Sequence, residues 1–277
     1  MKALNALADW PVENVAAAVM TGDGDSIAVH RHGDTARVFP LASVTKLLVA
    51  QAVLVAVDEG AVELDDPAGP PGATVAHLLA HASGLAFDSR DVQAPPASRR
   101  IYSSAGYEVL AETVEAATGF AFPDYLAEAV CEPLGLTSTA LTGPAGHGAE
   151  SSVDDLAALA ADYLRPRLRP VPSAARAVDV WFPGLDGFVP GYGKHRPNDW
   201  GLGPELRGHK SPHWTAPSHS PRTFGHFGQS GTFLWVDPDL DAACVVLTDR
   251  AFGPWAKPLW SEFNESVVTE LGTAGRG

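Results

Sequence analysis

The 277-residue chain carries 19 Lys and Arg against 33 Asp and Glu, for a formal net charge of −14, and 45% of it is apolar. That much apolar material can bury the core of one large domain or two intimate ones, while the negative balance excludes the basic footprint that nucleic acid or an anionic membrane surface requires. The two cysteines, Cys131 and Cys244, lie far apart and outside any CxxC spacing, so both read as buried thiols and neither a disulfide framework nor a structural zinc site is expected.

The opening stretch MKALNALADWPVEN holds no sustained apolar run, because Asn5, Asp9 and Glu13 interrupt it; no export signal is read, and a cytoplasmic location is expected. Residues 14–40 read as short Val-, Ala- and Ile-rich strands broken by the turn clusters TGDGD and HGD, an antiparallel meander. From about residue 43 to 58 the pattern becomes a helix that is apolar nearly all round and stops at Gly60, the kind that sits in the middle of a protein. Its longest apolar run, 47–57, falls short of the roughly 20 residues that span a bilayer, so no membrane association is expected. Helical patterns recur at 75–82, 105–117, 123–130 and 153–164, separated by Pro/Gly loops. A Gly-, Pro- and His-rich stretch over 191–223 then reads as loop, followed by a hairpin in which TFLWV and AACVVLT flank DPDLD, and by a closing helix over 255–271. This order predicts an α/β plus all-α protein. An antiparallel sheet built from both termini and flanked by helices forms a discontinuous α/β domain (1–60 and 190–277), an all-α domain (61–189) is inserted, and the cleft between them is the natural place for a site.

Within LASVTKLLVA, residues 41–50, Ser43 stands three residues before Lys46 at the head of the apolar helix. That spacing returns hydroxyl and ammonium to one face, at the dipole end that favours developing negative charge. Ser43 also suits the N-cap that serine often fills. If it is a nucleophile, its proton needs a base, and lowering a lysine from ~10.4 to about 7 costs about 4 to 5 kcal/mol. Burial supplies part of that, or the charged lysine instead depresses a neighbouring tyrosine. RIYSSAGYEVL, 100–110, offers Tyr102 and Ser104 just before a helix, where a tyrosine reads equally as packing. In FGHFGQSGTFLWV, 224–236, the glycines Gly225, Gly228 and Gly231 either bare a strand for a substrate or mark bulges in a loop. His195, His209, His213, His219 and His226 share one segment but no metal-ligand spacing, and there is no GxSxG elbow; no metal or other cofactor is expected.

Taken in order, SVTK, HLLAHASGL (77–85), IYSSAGY (101–107), EPLGLTSTAL (132–141), SSVDDLAAL (151–159), WGLG (200–203) and GHFGQSGTFLWVDP (225–238) resemble, over nearly the whole chain, the serine β-lactamase and penicillin-recognising superfamily. The resemblance is to the branch of class C β-lactamases, D-Ala-D-Ala carboxypeptidases and related esterases. It implies a β-lactamase-like fold and a covalent acyl-enzyme. Ser43 would be the acylated nucleophile, Lys46 and Tyr102 would share general base and acid work, and the backbone N–H groups of Ser43 and Gln229 would form the oxyanion hole. Ser104, His226 and Gly228 would contact substrate, and His77 and His81 would be structural. Two departures matter. His226 stands where the family often has the lysine of Lys-Thr-Gly, and imidazole is mostly neutral at pH 7; Ser104 stands for an asparagine and offers a single hydroxyl. Both lean toward a small neutral ester or amide, with β-lactamase or D,D-peptidase activity as the alternative and a non-catalytic binding protein as the second. The loop 183–221, with Trp200 and Trp214, is expected to shape what enters.

Overall fold

In the computed structural model, which describes residues 1–24 and 26–274, a 3₁₀ turn over Ala3–Asp9 leads into β1 (Val15–Asp23) and β2 (Ser26–His32). A short β3 (Val38–Pro40) and a 3₁₀ turn over Ala42–Val44 precede α1 (Thr45–Asp58). Then come α2 (Val75–Leu79), α3 (Ala105–Thr118), α4 (Phe122–Leu126), a π turn over Ala127–Cys131 and α5 (Glu132–Leu134). β4 (Ala140–Leu141), β5 (Ala149–Ser152), α6 (Val153–Leu164) and α7 (Val171–Ala177) follow. The last third holds β6 (Gly187–Val189), β7 (Gly193–His195), β8 (Glu205–Leu206), β9 (Phe224–Gly228), β10 (Thr232–Asp237), β11 (Ala242–Thr248) and α8 (Ala256–Ala274).

The main sheet is antiparallel in the order β2-β1-β11-β10-β9-β8, so the two ends of the chain meet at the β1–β11 pair, where Val19 faces Cys244. Side chains alternate between its faces. Ala16, Ala18, Met20, Val245 and Leu247 join a core with α1, α3 and α6, whereas Ala17, Val19, Cys244, Val246 and Trp235 join a second with Leu4, Leu7, Trp10 and the α8 residues Trp260 and Phe263. Helices on both faces leave β10 and β11 buried along their whole length, which is why they read as apolar runs without alternation. α1 is enclosed on every side: each residue from Thr45 to Ala56 is buried.

The antiparallel sheet from both termini and its flanking helices match the sequence expectation. Details differ for local reasons. β3 leaves the meander to pair with β5 in a separate sheet, β3-β5-β4. α2 ends at Leu79 because His81 adopts a left-handed φ of 54°. α6, within the 61–189 stretch, packs on β1, β10 and β11. The 191–223 stretch is not a solvated loop, since it contains β7 and β8 and buries Glu205, Lys210, His213, Trp214 and His219. Cys131 and Cys244 are buried and free. Among the described residues no helix is long and apolar enough to cross a membrane.

Candidate active site

Ser43 lies in the 3₁₀ turn before α1, and no side chain caps either element; the helix begins from Val44 and the hydroxyl is left for other work. The turn is held under strain, with Ala42 at a left-handed φ of 45°. Three long-range bonds hold it: Leu41 N–H donates to the Ala149 carbonyl at 2.9 Å, the Leu41 carbonyl accepts from Thr232 Oγ1 at 2.9 Å, and Thr45 Oγ1 accepts from Ala149 N–H at 3.0 Å. Gly228 completes the clamp. A Cβ there would stand 2.3 Å from the Leu41 carbonyl oxygen and 2.6 Å from Thr232 Oγ1. The glycine therefore admits the protein's own backbone, not a substrate, and it fixes the end of β9 against the Ser43 turn.

Lys46, one turn on, is fully buried. Its Nζ donates to Ser104 Oγ at 3.1 Å and to the Gly146 carbonyl at 2.6 Å, and it lies 4.6 Å from the centre of the Tyr102 ring. Burial lowers its pKa from 10.5 to about 7, against the opposing charge of Glu108. That shift corresponds to about 5 kcal/mol. Glu108, in the first turn of α3, also positions the loop that supplies the carbonyl: its carboxylate accepts from Gly146 N–H at 2.8 Å and Ala145 N–H at 3.1 Å. Gly146 has no room for a side chain, since a Cβ would meet Ser104 Cβ at 2.8 Å and the Ser104 carbonyl oxygen at 2.9 Å.

Tyr102 shows one face to a cavity while its hydroxyl is desolvated, which pushes the phenol well above its usual pKa; the nearby Ser43 hydroxyl pulls the other way. The phenol oxygen is 3.4 Å from Nε2 of His226, a long bond, and Nδ1 of the same ring is 2.7 Å from the Phe227 carbonyl. A carbonyl only accepts, so Nδ1 carries the proton and Nε2 is the acceptor for Tyr102. Burial, then the charge of Lys46, lowers the His226 pKa to about 4, so the ring is neutral at pH 7. A chain of one polarity results, from Tyr102 O–H to His226 to the Phe227 carbonyl. His81 backs it from inside. Its Nδ1 accepts from Ser103 N–H at 3.1 Å and its ring packs on Tyr102, Tyr107 and Trp200.

Ser43, Tyr102, His226 and Gln229 thus meet at one cavity of about 60 Å³, walled by Phe87, Pro190, Trp200, Glu205 and Phe227. Among the described residues, the Ser43 and Gln229 amide N–H groups have no backbone acceptor beyond their own elements, whereas the Gln229 carbonyl accepts from Phe252 N–H at 2.9 Å. Ser104 and Gly228 stand behind this surface, one serving Lys46 and the other the Ser43 turn. Glu205 is the wall residue that the sequence did not announce. Burial pushes its carboxyl pKa up, but Lys210 and His213 outweigh that and hold it well below the usual range. Lys210 Nζ is 3.0 Å and His213 Nε2 3.2 Å from Oε1, and Trp214 Nε1 donates to Oε2 at 2.8 Å. Trp214 is thereby drawn into the interior, leaving Trp200 alone of the pair at the cavity. No group of three or more His, Cys, Asp or Glu suited to a metal occurs among the described residues.

The sequence profile of the family described as Beta-lactamase matches residues 12–267. A crystal structure described as a β-lactamase from Mycobacterium bovis is similar at 57% identity and TM-score 0.94, over 97% of this chain and 99% of that one. The structure of EstCE1, described as a hydrolase with promiscuous acyltransferase activity, shares the fold at TM-score 0.75 and 17% identity, over 96% and 97% of the two chains. Among curated proteins, the D-alanyl-D-alanine-carboxypeptidase/endopeptidase AmpH of Escherichia coli (strain K12) is 25% identical over 139 residues. That match spans 37% of this chain and about a third of the relative, 36% of its length.

Proposed function

The chain belongs to the β-lactamase family, and from that premise we propose that it is a serine hydrolase that forms an acyl-enzyme on a small neutral ester or amide. The observation that carries the reading is the meeting of Ser43, Tyr102, His226 and Gln229 at one cavity, with a buried lysine whose pKa is about 7 lying 4.6 Å from the centre of the Tyr102 ring. Ser43 Oγ attacks the acyl carbon, and the new oxyanion faces the N–H groups of Ser43 and Gln229. Of the two bases beside Tyr102, Lys46 at about 7 outranks His226 at about 4 by roughly 4 kcal/mol. The serine proton therefore ends on Lys46 Nζ with Tyr102 as the relay, its O–H turning from His226 toward Lys46, because the desolvated phenol makes a poor place for a lasting negative charge. The same proton returns to the leaving oxygen or nitrogen as its bond to the acyl carbon breaks. Water then repeats the sequence on the acyl-enzyme.

The preference for neutral substrates follows from the walls. Lys46 is half neutral at pH 7, His226 is neutral, and Lys210 is bound to Glu205, so a substrate carboxylate finds no free cation in the cavity. β-Lactam hydrolysis is the second reading, favoured by the description of the 57%-identical Mycobacterium bovis structure. Initial rates on a short-chain p-nitrophenyl ester and a chromogenic cephalosporin, beside Ser43→Ala, separate the two. Ser43-dependent ester turnover with little cephalosporin turnover supports the esterase-like reading. Efficient cephalosporin turnover replaces it with the second, and absence of any Ser43-dependent rate favours a non-catalytic binding protein.

A further inference from the structure

Phe87, Tyr102 and Pro190 each line two cavities at once. On one side lies the smaller space of about 60 Å³, lined by Ser43 and Gln229; on the other lies a larger and more open vestibule of about 430 Å³, bounded also by Ile101 and Phe188 with Gln93, Arg99 and Lys194. Resting on the serine-hydrolase reading, we propose that these are two unequal substrate subsites: the smaller cavity takes a short acyl group, the vestibule takes a bulky and largely apolar leaving group, and the Phe87 ring is the partition between them.

Size sets the first limit. A single water occupies roughly 10–15 Å³ on this scale, so the inner cavity holds about four to six non-hydrogen atoms, an acyl group of up to about five carbons with its oxygen. Direction follows from the order of bond breaking. The acyl group stays on Ser43 after the other half has gone, so it must fit on the Ser43 side, while the released half must exit through the open side. Tyr102 borders both spaces, and the scissile bond would cross from one to the other beside the group that returns the proton. The walls agree with an apolar substrate on both sides. Trp200 and Phe227 line the inner cavity. At the vestibule Phe87 is 53% and Phe188 66% exposed, an unusual pairing for large apolar side chains on one rim. Most of the charges nearby are engaged, with Arg99 on the vestibule wall as the exception among the described residues: the Arg100 guanidinium donates to the carbonyls of Ala80, Trp181, Phe182 and Asn198, and Asp186 is shared between Lys194 and Arg196.

The partition is anchored. The Phe87 carbonyl accepts from Ser104 N–H at 2.7 Å and Ala105 N–H at 3.1 Å at the start of α3, and its ring stacks on Tyr102 at 5.9 Å between centres. Its exposed side chain contributes little to the core, so Phe87→Ala opens the wall without threatening the fold. The experiment is kcat/KM for p-nitrophenyl acetate, butyrate and octanoate in wild type, Phe87→Ala and Ser43→Ala. Wild type is expected to lose about 100-fold or more from butyrate to octanoate, and Phe87→Ala to reduce that ratio to below about tenfold. A second arm compares methyl butyrate with 1-naphthyl butyrate, where Phe188→Ala is expected to raise KM for the naphthyl ester alone. Ser43-dependent turnover of octanoate as fast as butyrate by wild type overturns the subsite inference and leaves the hydrolase reading standing, as does an unchanged ratio in Phe87→Ala. Absence of Ser43-dependent turnover of every ester overturns both.

Discussion

A pH profile separates the two bases at the site. If neutral Lys46 takes the serine proton, the acid limb of kcat/KM on an uncharged ester reports its ionisation. With a pKa of about 7, half of the enzyme is competent at pH 7, each unit below removes about tenfold, and at pH 5 the rate stands about 100-fold under its plateau. Proton transfer to His226, at about 4, would instead leave nearly full activity at pH 5. Lys46→Arg keeps the cation but holds its proton, and is expected to lose roughly 10²- to 10⁴-fold in kcat. The same group should mark the stability curve. Its folded pKa lies below its unfolded one, so between about pH 7 and 10.5 the unfolded chain binds more protons and stability rises with pH. From pH 7 to 9 that amounts to about 2 kcal/mol, a slope that Lys46→Met should lack when urea denaturation of the two is compared. Ser43-dependent activity that stays flat from pH 8 to pH 5 would refute the assignment of Lys46 as base.

Gly228→Ala drives a methyl into the Leu41 carbonyl and should lower stability by about 1 to 3 kcal/mol in thermal denaturation, with kcat falling as the Ser43 turn shifts. Gly146→Ala should displace the carbonyl that holds Lys46, reducing kcat by more than about tenfold and moving the acid limb of the pH profile. Glu205→Gln leaves Lys210 buried without its carboxylate and is expected to cost about 3 to 5 kcal/mol in urea denaturation.

Ser43, Lys46, Tyr102, His226 and Gln229 were legible because each sits in a short segment whose order along the chain resembles one family, and α1 was legible because an all-round apolar pattern has no other home. The neutrality of His226 was also readable, since imidazole begins near neutrality and burial only lowers it further. The partners of Lys46 were not. One is a backbone carbonyl 100 positions away, and no side-chain type announces a carbonyl. Gly228 was visible but its purpose was ambiguous, because a strand stripped of side chains admits a substrate and a neighbouring backbone equally well; only the 2.3 Å approach to Leu41 distinguishes them. Glu205, Lys210 and His213 lay hidden in a Pro- and Gly-rich stretch where charges read as solvated, and their burial depends on mutual neutralisation that sequence spacing does not encode. α6 followed its pattern to the residue, helped by Ser152, whose hydroxyl accepts from Asp155 N–H.

Because α1 has no solvent-facing side, its amides have no shallow route to exchange with water and should open only when the whole core does. Lys46 is mounted on that member and Ser43 on the turn that leads into it, whereas Phe87 and Phe188 are exposed, the one on a loop and the other on the short strand β6. Mutational drift therefore meets two materials of different stiffness. Changes around α1 should cost folding, while changes at the rim should be tolerated and, on the serine-hydrolase reading, alter what is accepted. On that reading, substrate preference can shift without rebuilding the chemistry, and a laboratory search for new substrates is best confined to the exposed positions within 85–101 and 182–198.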